Sequence, residues 1–261
     1  MKLKSSSLIR LAPILFPLLT PVFAADNLSS PVAPFTIVSF GDSTTAPRGS
    51  VDVYTSQLES RLKSSPSPVR LVNKGVPGNT TDMAMKRFET DVLGEKPDLV
   101  IIQFGINDSM VDVWKKPPAQ ASRVSLEKYD KNLRFFVGEI RKNGGDVILM
   151  TPNPLRWTPT LRGYYAKPPY DPNDEKGLDP ILEKYAQAVR AVAQDLNVPL
   201  VDVYDLYDAW EKTNGESCVK LLGDGMHPNT QGQTLTTDAL EPIVRSKIAA
   251  PKTGVNDSPV K

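Results

Sequence analysis

Ser43, Asp224 and His227 lie far apart along the chain, but together they have the residue types that can pass a proton and make a nucleophile. His227 is the only histidine, so an imidazole base has one candidate. Asp224 precedes it by three residues, in a turn tightened by Gly223 and Gly225. That spacing can fold the carboxylate back onto one ring nitrogen, which would hold the tautomer and stabilise an imidazolium. The other nitrogen is then free to take the proton of a serine hydroxyl. Ser43 sits in Phe40-Gly41-Asp42-Ser43-Thr44-Thr45, where an apolar run stops in a small polar turn. A serine held at the end of a buried strand, ahead of a helix, is where an α/β protein tends to place a nucleophile. Each piece also has a plainer reading. Gly41-Asp42-Ser43 could be only a turn, His227-Pro228 only the opening of a helix, and Asp224 only a turn residue.

Other chemistries find less support. One His and one Cys cannot complete a His/Cys zinc site, and no calcium loop is recognisable. Walker, dinucleotide-binding and G-x-S-x-G patterns are missing, so no metal or cofactor is expected. With 31 basic and 30 acidic residues and no basic block, nothing points to nucleic acid or an anionic membrane surface. Hydrophobic residues at 40% and charged residues at 23% describe a soluble globular protein, and 261 residues suit one domain. Cys218 stands alone, so no intramolecular disulfide forms; it reads as a partly buried structural thiol.

Alternating strands and helices must position these residues. Residues 35–40, 69–73, 98–104, 146–150 and 200–203 read as strands, rich in Val, Ile, Leu and Phe. Helices are expected over residues 51–64, after Thr80 or Thr81, over 125–143, 180–196 and 206–212, and from 229 to 248. The continuous apolar run at 98–104 suits a central parallel strand covered on both faces. The pattern implies a three-layer α/β/α sandwich around a five-stranded parallel sheet. Ser43 follows the first strand, Gly78 the second, Asn107 the third, and Asp224 and His227 the segment after the fifth. In an open parallel sheet these loops meet at the carboxyl edge, where ligands bind.

The ends of the chain read differently. Residues 1–24 have a basic head, an apolar stretch and Val22-Phe23-Ala24 as a cleavage site, and are expected to be a signal peptide. Pro13, Pro17 and Pro21 interrupt that stretch and argue against a stable membrane span, and no cysteine follows it for lipid attachment. Removing Lys2, Lys4 and Arg10 from the 31 basic residues leaves 28 against 30 acidic ones. Residues 25–34 read as a linker, 35–249 as the domain, and 250–261 as a polar disordered tail.

Four blocks carry a family resemblance: Gly41-Asp42-Ser43, Gly78 within residues 73–80, Gly105-Ile106-Asn107-Asp108, and Asp224-Gly225-Met226-His227. In order and spacing they resemble the blocks of the SGNH (GDSL-type) hydrolase superfamily, over residues 35 to about 248. The resemblance implies the flavodoxin-like SGNH fold, with Ser43 as nucleophile, His227 as base and then acid, and Asp224 as its orienting partner. It further implies an oxyanion hole made by the backbone N–H groups of Ser43 and Gly78 and the side-chain amide of Asn107. Asp42 and Asp108 would shape the loops.

The expected activity is that of an exported serine esterase, periplasmic or extracellular, cleaving carboxylic esters through an acyl-enzyme. Export and the aromatic residues Trp114, Trp157, Tyr164 and Tyr165 favour a short acyl group, acetyl on a carbohydrate or similar small molecule. The same aromatics could bind an aryl or acyl chain, which leaves a lipid esterase, lysophospholipase or thioesterase open. A non-catalytic carbohydrate-binding module on the same fold is a further alternative. The Pro- and Tyr-rich stretch from Leu155 to Leu178 reads as irregular, either a binding loop or lid, or an ordered aromatic cover.

Overall fold

Strand β1 (Phe35–Gly41) lies inside the sheet, flanked by β2 (Val69–Gly75) on one side and β3 (Leu99–Gln103) on the other. Strand β4 (Asp146–Met150) pairs with β3, and the two-residue β5 (Leu200–Val201) closes the order β2-β1-β3-β4-β5, every pair parallel. The computed structural model describes residues 33–250. The signal peptide expected at residues 1–24, the linker up to residue 32 and the tail from residue 251 lie outside the described residues. Between the strands run α1 (Tyr54–Leu62), α2 (Thr81–Met85), α3 (Phe88–Asp91), α4 (Ile106–Ser109), α5 (Leu126–Lys142), α6 (Pro159–Tyr165), α7 (Leu182–Asp195), α8 (Val203–Asn214) and α9 (Thr230–Ala249). Short 3-10 turns occupy Leu93–Glu95 and Cys218–Leu221.

The three-layer sandwich follows from the two-residue period of the strands. Val38, Phe40, Val100, Ile102, Val147 and Leu149 face one layer, packing on residues of α3, α5 and α7. Ile37, Leu99, Ile101, Ile148, Met150 and Val201 face the other, against residues of α1, α8 and α9. A third apolar cluster sits over the loops, with Ile106, Met110, Leu155, Leu161, Tyr165, Tyr170 and Leu178 among its members.

Strand register decides where the functional loops emerge. Gly41 pairs with Gly75 and Gln103, Gln103 with Met150, and Met150 with Val201. The ends of all five strands therefore lie in one row, and the segments that follow them rise from one edge.

Several sequence expectations change in detail. Strand β2 runs on to Gly75 rather than ending at residue 73. The single helix expected after Thr80 is two, because the backbone at Arg87 leaves the helical region (φ −114°, ψ 0°). Strand β5 stops at Val201: Asp202 accepts a hydrogen bond from the N–H of Asp205 at 3.3 Å and caps α8, which runs from residue 203 to 214 rather than 206 to 212. The stretch from Leu155 to Leu178 is not structureless, since it contains α6 and buries Leu155, Tyr170 and Leu178. Cys218 is fully buried rather than partly so.

Candidate active site

Ser43 Oγ lies 2.9 Å from Nε2 of His227, 184 residues away. On the other side of the ring, Nδ1 is 2.7 Å from Oδ2 of Asp224. The same carboxylate accepts the backbone N–H groups of Met226 and His227 on Oδ1, at 2.9 and 2.8 Å. Burial pushes the Asp224 carboxyl up, but the bonds from the His227 ring and the two N–H groups outweigh it and hold the carboxyl well below the usual range. An ionised Asp224 accepts from Nδ1–H, which leaves Nε2 as the acceptor facing the serine hydroxyl.

The turn that carries Asp224 and His227 is shaped from both sides. Gly223 donates its N–H to the carbonyl of His227 at 2.7 Å, and Leu222 bridges Pro228. Gly225 has φ +85°, and a Cβ there would collide with the carbonyl of Arg156. The loop after β4 holds the outer side: Arg156 N–H donates to Gly225 O at 2.8 Å, Thr158 Oγ1 to Asp224 O at 3.1 Å, and Asn153 Nδ2 to Met226 O at 2.9 Å. Thr158 also caps α6 by accepting from Leu161 N–H.

Ser43 itself stands on a braced turn. Asp42, buried beside it, accepts from the backbone N–H of Thr44 at 2.9 Å and from Asn107 Nδ2 at 3.3 Å. Burial raises the Asp42 carboxyl, against the pull of these bonds and of His227. Gln233 on α9 donates to Thr44 O at 2.9 Å and accepts from Tyr54 N–H at 2.8 Å, tying α9 and α1 to the turn that carries Ser43.

Gly78 and Asn107 are the two other residues expected to donate to an oxyanion, and Asn107 touches the Ser43 turn through Asp42. Gly78 follows β2 with φ +76°; a Cβ there would meet no protein atom within 4 Å, so the backbone angle, not crowding by the protein, asks for glycine. Asn107 lies in α4, 8% exposed, with Nδ2 toward Asp42 and Oδ1 accepting from Arg123 Nη1 at 3.1 Å. Asp108 is fully buried and accepts from the N–H and hydroxyl of Thr81 on Oδ1, at 2.8 and 2.5 Å, which joins α4 to the start of α2.

The aromatic residues separate into two groups. Trp114 and Tyr164 are 44% and 54% exposed and meet edge to face at 6.4 Å. Trp114 lines a cleft of about 620 Å³ with Gly78, Met83, Lys115 and Arg123. Trp157 and Tyr165, expected beside them, are less exposed. The indole N–H of Trp157 is shared between the carbonyls of Asp171 and Asp174, at 3.1 and 2.9 Å, and Tyr165 is buried against Tyr170. Of the four rings, Trp114 and Tyr164 are thus the exposed ones, while Trp157 and Tyr165 make contacts within their own loop.

Sequence reasoning missed the arginines. Arg87 donates to the carbonyls of Gly41 at 3.0 Å and Lys74 at 2.8 Å, and to Asn79 Oδ1 at 2.8 Å. Its guanidinium also lies over the Phe40 ring, so one side chain joins the Ser43 turn to the Gly78 turn. Arg123 and Arg156 were equally silent, because an isolated Arg carries no local pattern that separates a buried anchor from a solvated charge. Among the described residues, no group of three or more His, Cys, Asp or Glu could hold a metal ion, and no helix is long and apolar enough to cross a membrane.

Residues 39–235 match the model of the GDSL-like lipase/acylhydrolase family. An acetylxylan esterase of Geobacillus stearothermophilus is 30% identical over 174 residues, covering 66% of this chain and 70% of its own length. A Bacillus subtilis (strain 168) protein named uncharacterized lipoprotein YqeF is 35% identical over 180 residues, covering 64% of this chain and 69% of its own. The crystal structure of Axe2, an acetylxylan esterase from Geobacillus stearothermophilus, shares the fold with a TM-score of 0.64 and 24% identity, covering 87% of this chain and 100% of that one.

Proposed function

The chain belongs to the GDSL-like lipase/acylhydrolase family, and from that premise we propose that it is an exported serine esterase that removes short acyl groups, acetyl above all, from a carbohydrate or similar small molecule. The observation that carries the reaction type is the hydrogen-bonded chain Ser43 Oγ, His227 Nε2, His227 Nδ1, Asp224 Oδ2, with links of 2.9 and 2.7 Å.

In this reading Ser43 Oγ attacks the ester carbonyl carbon while its proton passes to His227 Nε2. The negative charge that develops on the carbonyl oxygen is met by the N–H groups of Ser43 and Gly78 and by Asn107 Nδ2, each such donor supplying about 3 kcal/mol. Collapse breaks the C–O bond, and His227 returns the proton to the departing alcohol. Water then attacks the acyl-Ser43 ester and gives a proton to His227; the bond from the acyl carbon to Ser43 Oγ breaks, His227 returns that proton to Oγ, and the acid leaves. Asp224 stays ionised throughout and stabilises the imidazolium in both halves.

Two observations support the substrate. The relative from Geobacillus stearothermophilus that is 30% identical over 174 residues is an acetylxylan esterase. Exposed Trp114, which meets Tyr164 edge to face, lines a cleft that also includes Gly78, a position from which an aromatic face can stack on a sugar ring. Export rests on residues 1–24. The B. subtilis relative is named a lipoprotein, whereas no cysteine follows the apolar stretch here.

A fluorophosphonate probe tests the reaction type. It labels the folded protein at Ser43 and fails on Ser43→Ala; a folded wild-type protein that does not label returns the chain to the binding-module reading. Turnover of p-nitrophenyl acetate against long-chain esters tests the substrate. Preference for the long chain rejects an acetylesterase in favour of a lipid esterase.

A further inference from the structure

The carboxamide of Asn107 has one acceptor and two donor hydrogens, and only one of its two orientations presents N–H groups to a developing oxyanion. Two neighbours decide between them. Nδ2 donates to Asp42 Oδ2 at 3.3 Å, and Oδ1 accepts from Arg123 Nη1 at 3.1 Å. In the reverse orientation, oxygen would face carboxylate and NH₂ would face guanidinium, so both contacts would turn repulsive.

Arg123 is the firmer of the two. Its guanidinium is bound on its other side by Asp112, with Nε 3.1 and 3.2 Å from the two carboxylate oxygens and Nη2 2.7 Å from Oδ1. The Asp112 carboxylate is itself buried and receives Lys115 at 2.7 Å as well. Backbone bonds from Arg123 N–H to Met110 O at 3.0 Å and from Val124 N–H to Asp108 O at 3.1 Å tie the segment to α4 and its end. A guanidinium held at both ends can only donate, whatever the pH. Asp42, in contrast, is a buried carboxyl pushed up by that burial, and its protonated form is no longer bound to accept.

We propose that Arg123, clamped by Asp112, is a positioning residue that turns the Asn107 amide so that its NH₂ meets the oxyanion. This rests on the reading of Asn107 as an oxyanion donor. Arg123 also lines the cleft beside Gly78 and Trp114, so the segment bordering the substrate cleft is the one that sets the amide.

A double-mutant cycle on a short p-nitrophenyl ester tests it. Asn107→Ala should lower kcat by on the order of 10²-fold or more. Arg123→Ala should lower kcat by roughly 10-fold, a loss of orientation rather than of the donor, with KM within about twofold. In the Asn107→Ala background the same change should alter kcat by less than about twofold, because there is no amide left to orient. Methylguanidinium at a non-denaturing concentration should restore part of the activity of Arg123→Ala and none of that of the double variant. Melting curves establish that each variant is folded; if Arg123→Ala is not, Arg123→Lys and Asp112→Asn take its place, with intermediate losses that again vanish without Asn107. Equal losses in both backgrounds, or a raised KM with kcat unchanged, would overturn the proposal and make Arg123 a structural or substrate-contacting residue. Full activity in Asn107→Ala would instead remove the oxyanion reading on which the proposal stands.

Discussion

The backbone N–H of Arg156 donates to the carbonyl of Gly225 at 2.8 Å, joining the loop after β4 to the turn that carries Asp224 and His227. The side chain of Arg156 points into a different network. It is 1% exposed and pairs with Asp179 at 2.6 Å and with Glu211 at 2.9 Å. Glu211 in turn accepts from the N–H of Cys218 at 2.7 Å. One residue thus anchors the site through its main chain and the packing beneath it through its guanidinium.

Removing that guanidinium leaves Asp179 and Glu211 without their shared partner. Arg156→Ala should destabilise the protein by about 3–5 kcal/mol, as for other buried pairs broken on one side. Lys176, half exposed and paired with Asp208 at 2.9 Å, should lose only about 0–1 kcal/mol on truncation. Thermal melting compares the two. Because the contact to Gly225 is made by the main chain, the folded fraction of Arg156→Ala should keep most of its kcat.

Asp224→Asn preserves size but places a donor or a neutral oxygen against Nδ1, which no longer favours the tautomer with Nε2 free. A fall in kcat on the order of 10⁴-fold is expected, with melting behaviour little changed. A steady-state assay of the purified variant decides; near-normal turnover would show that the carboxylate does not orient His227.

Asp108 gives a pH dependence of known sign. Burial pushes its carboxyl up to about 7, against the bonds from Thr81 and with a further push from Asp42. An aspartate in the unfolded chain titrates near ~3.9. Between these values the folded protein holds a proton that the unfolded chain has lost, so this residue makes stability fall as pH rises through the window. Asp108→Asn cannot ionise. Its melting temperature relative to wild type should therefore improve from about pH 4 to about pH 8. A difference that stays constant across that range would mean that Asp108 is ionised throughout.

Cys218 should be inert in the native state. The thiol is fully buried, and burial pushes it far up, so little thiolate forms at neutral pH. A thiol-specific reagent should leave native activity intact and modify the residue only after denaturation. Rapid labelling of the native protein would show that the segment around Cys218–Leu221 opens.

The sequence by itself determined the layered fold and the short blocks. Each strand is a local run of Val, Ile, Leu and Phe with little else to become, and alternation with helices leaves few arrangements besides a parallel sheet. The single histidine with an aspartate three residues before it reduced the search for a base to one residue. Tertiary structure alone decided the supports. Arg87 meets Gly41 across 46 residues, Arg123 meets Asn107 across 16, and Arg156 meets Glu211 across 55. It likewise decided that Trp114 and Tyr164 face outward while Tyr165 is buried and Trp157 ties down its loop. Periodicity reports which face of an element is apolar, a property of neighbouring residues. The partner of a polar side chain depends on which distant segment the packed sheet brings within about 3 Å, and no short window of sequence contains that distance.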